Sequence, residues 1–192
     1  AAGNDVTDQF DVEATPGTLT VAKRDVTLRS ATDEKPYDGT PLTNDNVVVS
    51  GDGWADGEGA VYHVTGSQTT GGFSPNVFTY TLANGSKADN YNVETVQGTL
   101  TVTSRDAQFE VTVEANSASF TYDGQKKTVS GFKNETDEGI AVTVGGLAYR
   151  VTGLSASAEL TDAGNATAYV TGEPTVLDAE GNDVTDQFSV KP

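Results

Sequence analysis

The sequence repeats itself, and the spacing of the repeats constrains the architecture more than any other feature. The octet Gly-Asn-Asp-Val-Thr-Asp-Gln-Phe occurs at residues 3–10 and again, letter for letter, at 181–188. The pentapeptide Gly-Thr-Leu-Thr-Val occurs at 17–21 and at 98–102, and an Arg-Asp pair follows it both times. Self-similarity at a long, fixed period is typical of one folding unit copied along a chain. The sequence therefore predicts a tandem array.

The alternation of apolar residues changes phase at equivalent places in the two copies. In the first copy the inward-facing residues are Leu19 and Val21 before the change and Val26 and Leu28 after it. In the second copy they are Leu100 and Val102 before the change and Val111 and Val113 after it. Since successive side chains point to opposite faces of a strand, a change of parity means that the inward face changes. We interpret the changes across 22–25 and 103–106 as domain junctions. The sequence thus predicts a tail, residues 1–21, that is the last strand of a preceding repeat, then repeat one, residues 22–102, and repeat two, residues 103–192.

Short alternating segments separated by turn residues predict the strands. They fall near 26–29, 46–50, 61–68, 77–82 and 91–102 in repeat one, and near 108–113, 117–122, 128–130, 140–144, 147–160, 166–171 and 184–190 in repeat two. Strands at this spacing are typical of β-sandwiches. We therefore expect an all-β protein of two tandem Ig-like, or related, β-sandwich modules in an elongated arrangement, with little or no helix. Asn84-Gly85 predicts a tight hairpin before 91–102.

Two further predictions concern the repeated pentapeptide. A second change of parity beside Gly17 and beside Gly98 predicts a bulge in the last strand of each repeat. The tail also carries a pentapeptide strand with no repeat before it, whereas repeat two stops where such a strand is due. Because a free strand edge invites pairing, we expect residues 1–21 either to fold against repeat one or to lend a strand to repeat two of another copy.

Composition excludes several classes of protein. The chain of 192 residues has 11 Lys plus Arg, 28 Asp plus Glu and a net charge of −17, which argues against binding to nucleic acid or to anionic lipid. There is no Cys for disulfides or thiolate chemistry, and no apolar run reaches the length of a membrane span. The start of the chain lacks the plan of a signal peptide, so we expect a segment of a longer protein.

Candidate catalytic groups are few. His63 is the single imidazole, its repeat counterpart is Arg150, and its position in an alternating strand predicts that it faces water. Pairs of carboxylates are unavoidable at this acidic content and carry no information without a cleft. The Tyr-Asp-Gly triplets at 37–39 and 122–124 predict turns, in which Tyr packs, Asp accepts a backbone N–H and Gly adopts positive φ. We expect no enzyme activity, no catalytic residue, no cofactor and no bound metal.

One loop offers a candidate binding site. Trp54, Asp56 and Glu58 lie in a glycine-rich acidic stretch, where an exposed Trp would stack on a sugar or a partner protein. The same Trp could equally fold back and cap the sandwich. Ca²⁺ is the alternative ligand, because carboxylates are hard oxygen donors. The clusters considered for it are Asp52, Asp56 and Glu58; Glu135, Asp137 and Glu138; and Asp183 with Asp186. None has the spacing of a known loop, and a solvated acidic surface is the simpler interpretation.

The repeated motifs also carry a family resemblance. The order Tyr-Asp-Gly-Thr-Pro-Leu-Thr at 37–43, Val-Ser-Gly, Tyr-x-Val-Thr-Gly, Asn-Tyr-Asn-Val at 90–93 and Gly-Thr-Leu-Thr-Val resembles the tandem MBG or YDG-type modules of large secreted bacterial surface proteins. Repeat two departs from the pattern after 122–124, where Gln-Lys-Lys replaces Thr-Pro-Leu. The resemblance implies Ig-like modules in a stalk or adhesin, outside the cell and attached to the cell wall through regions beyond this segment. It implies no catalytic activity.

Two functions follow as expectations. In the first, the repeats form a stalk or spacer whose partners are neighbouring repeats of the same polypeptide. In the second, one module is an adhesive head that binds a host glycan or protein through the Trp54 loop, with Ca²⁺ as a potential aid. Neither function involves nucleic acid or insertion of this segment into a membrane.

Overall fold

The computed structural model describes residues 3–192 of the chain. In this part the regular structure is β-strand, apart from short 3-10 turns at Thr7–Gln9, Ala88–Asn90 and Thr185–Gln187. The prediction of an all-β protein with little or no helix is therefore confirmed. No helix among these residues has the length and apolar character needed to cross a membrane.

Repeat one contains three sheets. Its strands are β1 (Arg24–Ser30), β2 (Asp33–Pro36), β3 (Val47–Gly51), β4 (Ala60–Val64), β5 (Gly72–Asn76), β6 (Phe78–Leu82), β7 (Tyr91–Val96) and β8 (Gly98–Thr103). β1 lies between β3, antiparallel, and β7, parallel, while β4 pairs with β6. β8 lies between β2, parallel, and β5, antiparallel. The beginning and the end of the repeat thus run side by side in the same direction, first as β1 with β7 and then as β2 with β8.

The core of repeat one lies between two of these sheets. Val26 and Leu28 of β1 are 1% and 0% exposed, and they form a buried cluster with Phe78 and Tyr91. The cluster takes side chains from β1, β3 and β7 on one side and from β4 and β6 on the other. The two sheets therefore face each other, as the layers of a β-sandwich do.

The chain crosses from one sheet to another between β7 and β8. At this crossing a Cβ added to Gly98 would come within 2.2 Å of the Ala31 carbonyl oxygen. The Gly98 N–H donates to the buried Ser30 hydroxyl at 2.9 Å, and that hydroxyl donates to the Asn76 carbonyl at 2.6 Å. No side chain fits here, which is why the pentapeptide begins with glycine. The parity change predicted as a bulge is a crossing between sheets.

Repeat two is built around one long strand. Its strands are β9 (Phe109–Thr112), β10 (Lys127–Ser130), β11 (Glu135–Thr136), β12 (Gly139–Val144), β13 (Leu147–Leu160), β14 (Tyr169–Leu177) and β15 (Phe188–Lys191). β13 pairs with β10, β12 and β14, and β11 extends this sheet beyond β12. β15 pairs in parallel with β9, as β7 does with β1. Within residues 3–192, every pairing of named strands joins two strands of the same repeat.

Burial changes phase between the repeats as the sequence predicts. Leu100 and Val102, at even positions in β8, are 0% and 2% exposed, whereas Val111 and Val113, at odd positions, are 5% and 2% exposed. Residues 104–108 between them form no strand and are exposed or half-buried. The inward face therefore changes in a surface connection between strands, and not inside a sheet.

The hairpin predicted at Asn84-Gly85 is wrong. A tight hairpin turn of this kind needs positive φ at both central residues, and only Gly85 has it, with φ of 96°. The Ser86 N–H donates to the Ala83 carbonyl at 3.1 Å, which closes a turn. The chain then crosses to the other sheet, because β6 pairs with β4 and β7 pairs with β1.

The strand predicted at 117–122 is also absent. All six residues are exposed, and none takes part in a backbone–backbone hydrogen bond. Alignment of the Tyr-Asp-Gly triplets makes this stretch the counterpart of β2, which pairs with β8 in repeat one. Beside 117–122, no strand of the described chain takes the place of β8. Alternating side chains do not make a strand when the backbone has no partner.

The tail forms no strand in residues 3–21 and pairs with none. Its side chains are exposed throughout, and Leu19 and Val21 are 91% and 87% exposed. The tail therefore does not fold against repeat one. The sequence also predicts that this segment lends a strand to repeat two of another copy, and that stays a prediction.

Candidate functional site

The two repeats meet around Tyr37, at the end of repeat one that is remote from the tail. The Tyr37 side chain is 1% exposed, and its hydroxyl lies 3.5 Å from that of Tyr149 in β13. A Cβ added to Gly39 would come within 2.4 Å of Leu147 Cδ1, so the turn after β2 packs directly on repeat two. The buried cluster of repeat two also includes these residues of repeat one: Tyr37, Leu42, Leu100 and Val102. We refer to this contact as the junction.

Arg105 and Gln187 hold the short connection between the repeats at the junction. The Arg105 guanidinium donates to the Tyr37 carbonyl at 3.1 Å and lies 4.2 Å from the centre of the Phe109 ring. The Gln187 amide oxygen accepts the backbone N–H of Arg105 at 3.2 Å, and Gln187 is 1% exposed. Hydrogen bonds thus run from the connection into both repeats, which fixes its course.

The phenol of Tyr37 is kept neutral by its surroundings. Burial, with a smaller contribution from the Tyr149 hydroxyl, raises the pKa of Tyr37 far above its ordinary value of 10.0. A raised pKa gives a contribution to stability that is complete below the unfolded value and is lost as the pH rises above it. The junction therefore keeps the Tyr37 contribution at neutral pH and loses it only in strongly alkaline solution.

Trp54 lies between β3 and β4, in the loop where the sequence predicts ligand contact. Its indole N–H donates to the Tyr62 hydroxyl at 3.1 Å. Its ring makes an edge contact with Tyr91, with the ring centroids 4.8 Å apart. The side chain is half-buried and packs against the core of repeat one. The indole thus covers the end of the sandwich, the second of the two arrangements that the sequence allows.

The other two residues of this loop have different surroundings. The Glu58 carboxylate accepts the Tyr91 hydroxyl at 2.6 Å, and this hydrogen bond raises the pKa of Tyr91. Asp56 is exposed. The structure therefore brings Trp54 and Glu58 to the same tyrosine and leaves Asp56 apart. Binding of a glycan or a partner at this loop stays a prediction.

Most of the carboxylates considered for Ca²⁺ bond to neighbouring groups of the chain. Asp52 accepts the backbone N–H of Asp25 at 3.0 Å, and Asp183 accepts that of Thr185 at 3.0 Å. Glu138 forms an ion pair with Arg150, the counterpart of His63. Across residues 3–192, no group of three or more His, Asp or Glu side chains is placed to hold a metal ion. His63 itself is exposed, as the sequence predicts.

The Tyr-Asp-Gly turns form as predicted at the aspartate and the glycine. Asp38 accepts the Thr40 N–H at 2.9 Å, and Asp123 accepts the Gln125 N–H at 3.0 Å. The following glycines have φ of 80° and 76°. The tyrosines differ, since Tyr37 is buried and Tyr122 is 64% exposed. The prediction that the tyrosine packs is right only for repeat one.

Asp38 is also held by a lysine. Its carboxylate lies 2.8 Å from the Lys35 ammonium. Partial burial is the largest single influence and raises the pKa of Asp38, but the hydrogen bonds from Lys35 and Thr40 and the charge of Lys35 outweigh it and lower the pKa to about 2. The ionised carboxylate is therefore the form that stabilises this turn at neutral pH.

The sequence held a signal for the junction that motif reading missed. The Arg-Asp pairs at 24–25 and 105–106 served only as markers of the repeat. In the structure, both arginines bind backbone carbonyls of neighbouring loops: Arg24 those of Asp52 and Gly53, and Arg105 that of Tyr37. The arginine that recurs at each change of parity was the sequence feature that could have indicated the junction. Gln187 lies in the repeated octet, and nothing in the octet itself indicates its hydrogen bond to Arg105.

Comparison with known proteins returned no match: no family model, no curated protein and no solved structure matches the chain. The resemblance to MBG or YDG-type modules therefore depends on the residues alone.

Proposed function

We propose that the chain is a non-catalytic structural segment, a stalk or spacer, of a secreted bacterial surface protein. In this proposal it consists of two tandem Ig-like β-sandwich modules in an elongated arrangement. Its partners are neighbouring repeats of the same polypeptide, and regions outside this segment attach it to the cell wall. The motif resemblance supports the bacterial surface, and the fold and the junction support the stalk.

The strand topology suits a stalk. In each repeat, strands at the beginning pair in parallel with strands at the end: β1 with β7 and β2 with β8 in repeat one, and β9 with β15 in repeat two. Parallel neighbours point the same way. The chain therefore enters a repeat at one end and leaves it at the other, so that successive repeats add length along one direction.

The junction is the observation that carries the proposal. A flexible linker would let two modules tumble independently. Here the connection is short, Tyr37 is buried against repeat two, and Arg105 and Gln187 hydrogen-bond the connection to both sides. Burial of Tyr37 and Leu100 at the contact favours one relative orientation, because either side chain would be exposed to water if the modules separated. A preferred angle between modules is what a stalk needs.

The surface supports a role in an exposed, extended protein. With 28 acidic and 11 basic residues in the sequence, neighbouring molecules repel one another. A net charge far from zero keeps proteins soluble and separate. Six ion pairs lie on the surface of residues 3–192, between side chains that are mostly half-exposed or more. Exposed ion pairs contribute little to the free energy of unfolding. We therefore assign the excess of acidic residues a role in solubility.

The test is the distribution of distances between the repeats in solution. Spin labels on exposed positions, one in β3 and one in β12, report that distribution by pulsed electron resonance. We expect a narrow distribution for the wild-type chain. Arg105→Ala removes the guanidinium bond to the Tyr37 carbonyl and the contact with the Phe109 ring, so we expect it to broaden the distribution.

Arg24→Ala is the matched control. Arg24 occupies the equivalent place at the start of repeat one, and it binds only the loop at 52–53 within that repeat. It should leave the distance distribution unchanged. A broad distribution in the wild-type chain, as for two independently tumbling lobes in solution scattering, would contradict the stalk.

A further inference from the structure

Repeat one shows how the pentapeptide strand is used. β8 begins with Gly-Thr-Leu-Thr-Val and lies between β2 and β5. Its Leu100 and Val102 are 0% and 2% exposed. The Tyr37 N–H donates to the Thr103 carbonyl at 2.9 Å, which extends the pairing of β2 with β8 to the Tyr-Asp-Gly turn. Next to β8, Tyr37 is buried.

In repeat two, the position that corresponds to β8 holds no strand within residues 3–192. Residues 117–122 are the counterpart of β2, and their backbone N–H and C=O groups make no backbone hydrogen bond within the described chain. Phe120 and Tyr122 are 56% and 64% exposed. An unpaired edge with exposed aromatic side chains is a site for strand addition.

This edge borders an open groove of about 290 Å³ between 118–122 and 158–166. Apolar side chains from both sides line it, among them Phe120, Tyr122, Val129 and Leu160. Every second side chain of a bound strand would therefore pack on apolar surface in the groove. The main chain of that strand would hydrogen-bond to the free backbone groups of 117–122. Those are the two features by which an added strand is recognised.

The same chain carries a spare copy of the strand. Residues 17–21 are identical to 98–102, have no strand partner, and expose Leu19 and Val21 almost fully. We propose that the groove of repeat two binds residues 17–21 of a second copy, as a strand beside 117–122. The same five residues fill the equivalent place in repeat one, as the first five residues of β8.

The tail of the same chain cannot reach this groove. Even fully extended, residues 17–23 span only about 25 Å from the start of β1. From there β1 and β2 carry the chain towards the junction over roughly 40 Å, at about 3.3 Å per residue. The groove lies further still, because Leu160 is at the far end of β13 from Leu147, which packs at the junction. Residues 17–21 can therefore fill this groove only in another molecule.

The contact is heterologous, because one molecule gives its tail and the other gives its groove. Each complex of two molecules keeps one free tail and one free groove, so association continues into open chains. A strand of five residues buries much less than the roughly 800 Å² per partner of a standard interface. We therefore expect weak association that increases with protein concentration. This inference concerns chains of residues 1–192 and goes beyond the stalk, in which a neighbouring repeat of the same polypeptide would supply the strand. It is tested independently of the stalk.

The first test uses a fluorescent peptide of residues 14–22, Ala-Thr-Pro-Gly-Thr-Leu-Thr-Val-Ala. We expect it to bind the whole chain and to protect the amides of 117–122 from hydrogen exchange, while a peptide of the same composition in scrambled order does neither. Tyr122→Asp places a charge in the groove at an exposed position, so it should weaken binding by about tenfold or more without changing the melting temperature. Equal binding of both peptides, or protection elsewhere, would overturn the proposal.

The second test is sedimentation velocity over a range of concentrations. Wild-type chain should form oligomers longer than a dimer as concentration rises, and Leu19→Asp should keep it monomeric. Val12→Asp is the matched control, since Val12 is also strongly exposed in the tail, at 79% against 91% for Leu19, but lies outside the pentapeptide. It should associate like wild type. Association that survives Leu19→Asp, or a monomer at every concentration, would overturn the proposal.

A self-complemented variant closes the test. Adding Thr-Pro-Gly-Thr-Leu-Thr-Val after Pro192 reproduces the spacing from Phe10 to Gly17, which is also that from Tyr91 to Gly98. This variant supplies repeat two with its own strand. It should neither associate nor bind the peptide, even though its tail is intact. Peptide binding at the wild-type level would show that the groove is not the site.

Discussion

Tyr37 and Tyr122 begin the same Tyr-Asp-Gly turn in the two repeats, yet one is buried and the other is 64% exposed. The turn itself is equally well formed in both, with matching aspartate hydrogen bonds and glycine φ angles. What differs is what covers the tyrosine. In repeat one, β8 lies beside the turn and repeat two packs on Tyr37, whereas within residues 3–192 no strand and no further repeat covers Tyr122. The local motif therefore sets the turn, and distant parts of the chain decide whether its tyrosine belongs to a core.

The strongest test of this comparison removes each tyrosine in turn. Tyr37→Ala opens a large cavity at the junction and should lower the free energy of unfolding by about 3–5 kcal/mol. Tyr122→Ala removes an exposed ring and should change it by less than about 0.5 kcal/mol. Urea unfolding of dilute, monomeric protein gives both values. Equal losses would mean that Tyr122 is buried in solution.

The two copies of the pentapeptide give the next largest contrast. Leu100→Ala should cost about 2–5 kcal/mol, because Leu100 is fully buried in β8. Leu19→Ala, the same change in the same local sequence, should cost less than about 0.5 kcal/mol. Thermal and urea unfolding of the monomer measure the pair. A large cost for Leu19→Ala would show that the tail packs against its own chain.

The paired glycines sharpen the comparison at the backbone. Gly98→Ala places a methyl group against the Ala31 carbonyl oxygen and should destabilise the protein by about 1–3 kcal/mol. Gly17→Ala meets no atom within 4 Å, so its effect should be near zero. If both changes were neutral in urea unfolding, the crossing between β7 and β8 would have to be looser than described.

The smallest effect concerns acid. The pKa of Asp38 is lowered to about 2, so its contribution is present above the unfolded value of 3.8 and is lost as the pH falls from about 4 to 2. Because this carboxylate is half-exposed and screened by solvent, the loss should stay below about 1 kcal/mol. Asp38→Asn should flatten the pH dependence of unfolding in this range. An unchanged profile would contradict the assignment.

Local pattern was enough to predict most of the strands and the parity of the buried residues, although it missed β2, β5 and β11. Val111 and Val113 are buried as their odd positions predict, and β13 runs over the predicted range. The errors come from pairing, which depends on residues far away in sequence. Residues 117–122 alternate like a strand but have no partner, and Asn84-Gly85 turns the chain without pairing its neighbours.

The candidate sites were harder to predict for the same reason. The Trp54 loop was visible in the sequence, but its use of Tyr62 and Tyr91 as partners depends on the packing of two sheets. The recurring arginine was the one sign of the junction, because Tyr37, Arg105 and Tyr149 are scattered along the chain and meet only when both repeats are folded. Repetition showed that repeats exist, and only the structure shows how they touch.

The parallel pairing of first and last strands determines how the molecule would respond to tension. When the two ends of a repeat are pulled apart, the paired strands slide in opposite directions, and their hydrogen bonds bear the load together rather than opening one by one. In repeat one this shear is resisted along six registered residues of β1 with β7 and four of β2 with β8. In repeat two it is resisted along only the four of β9 with β15.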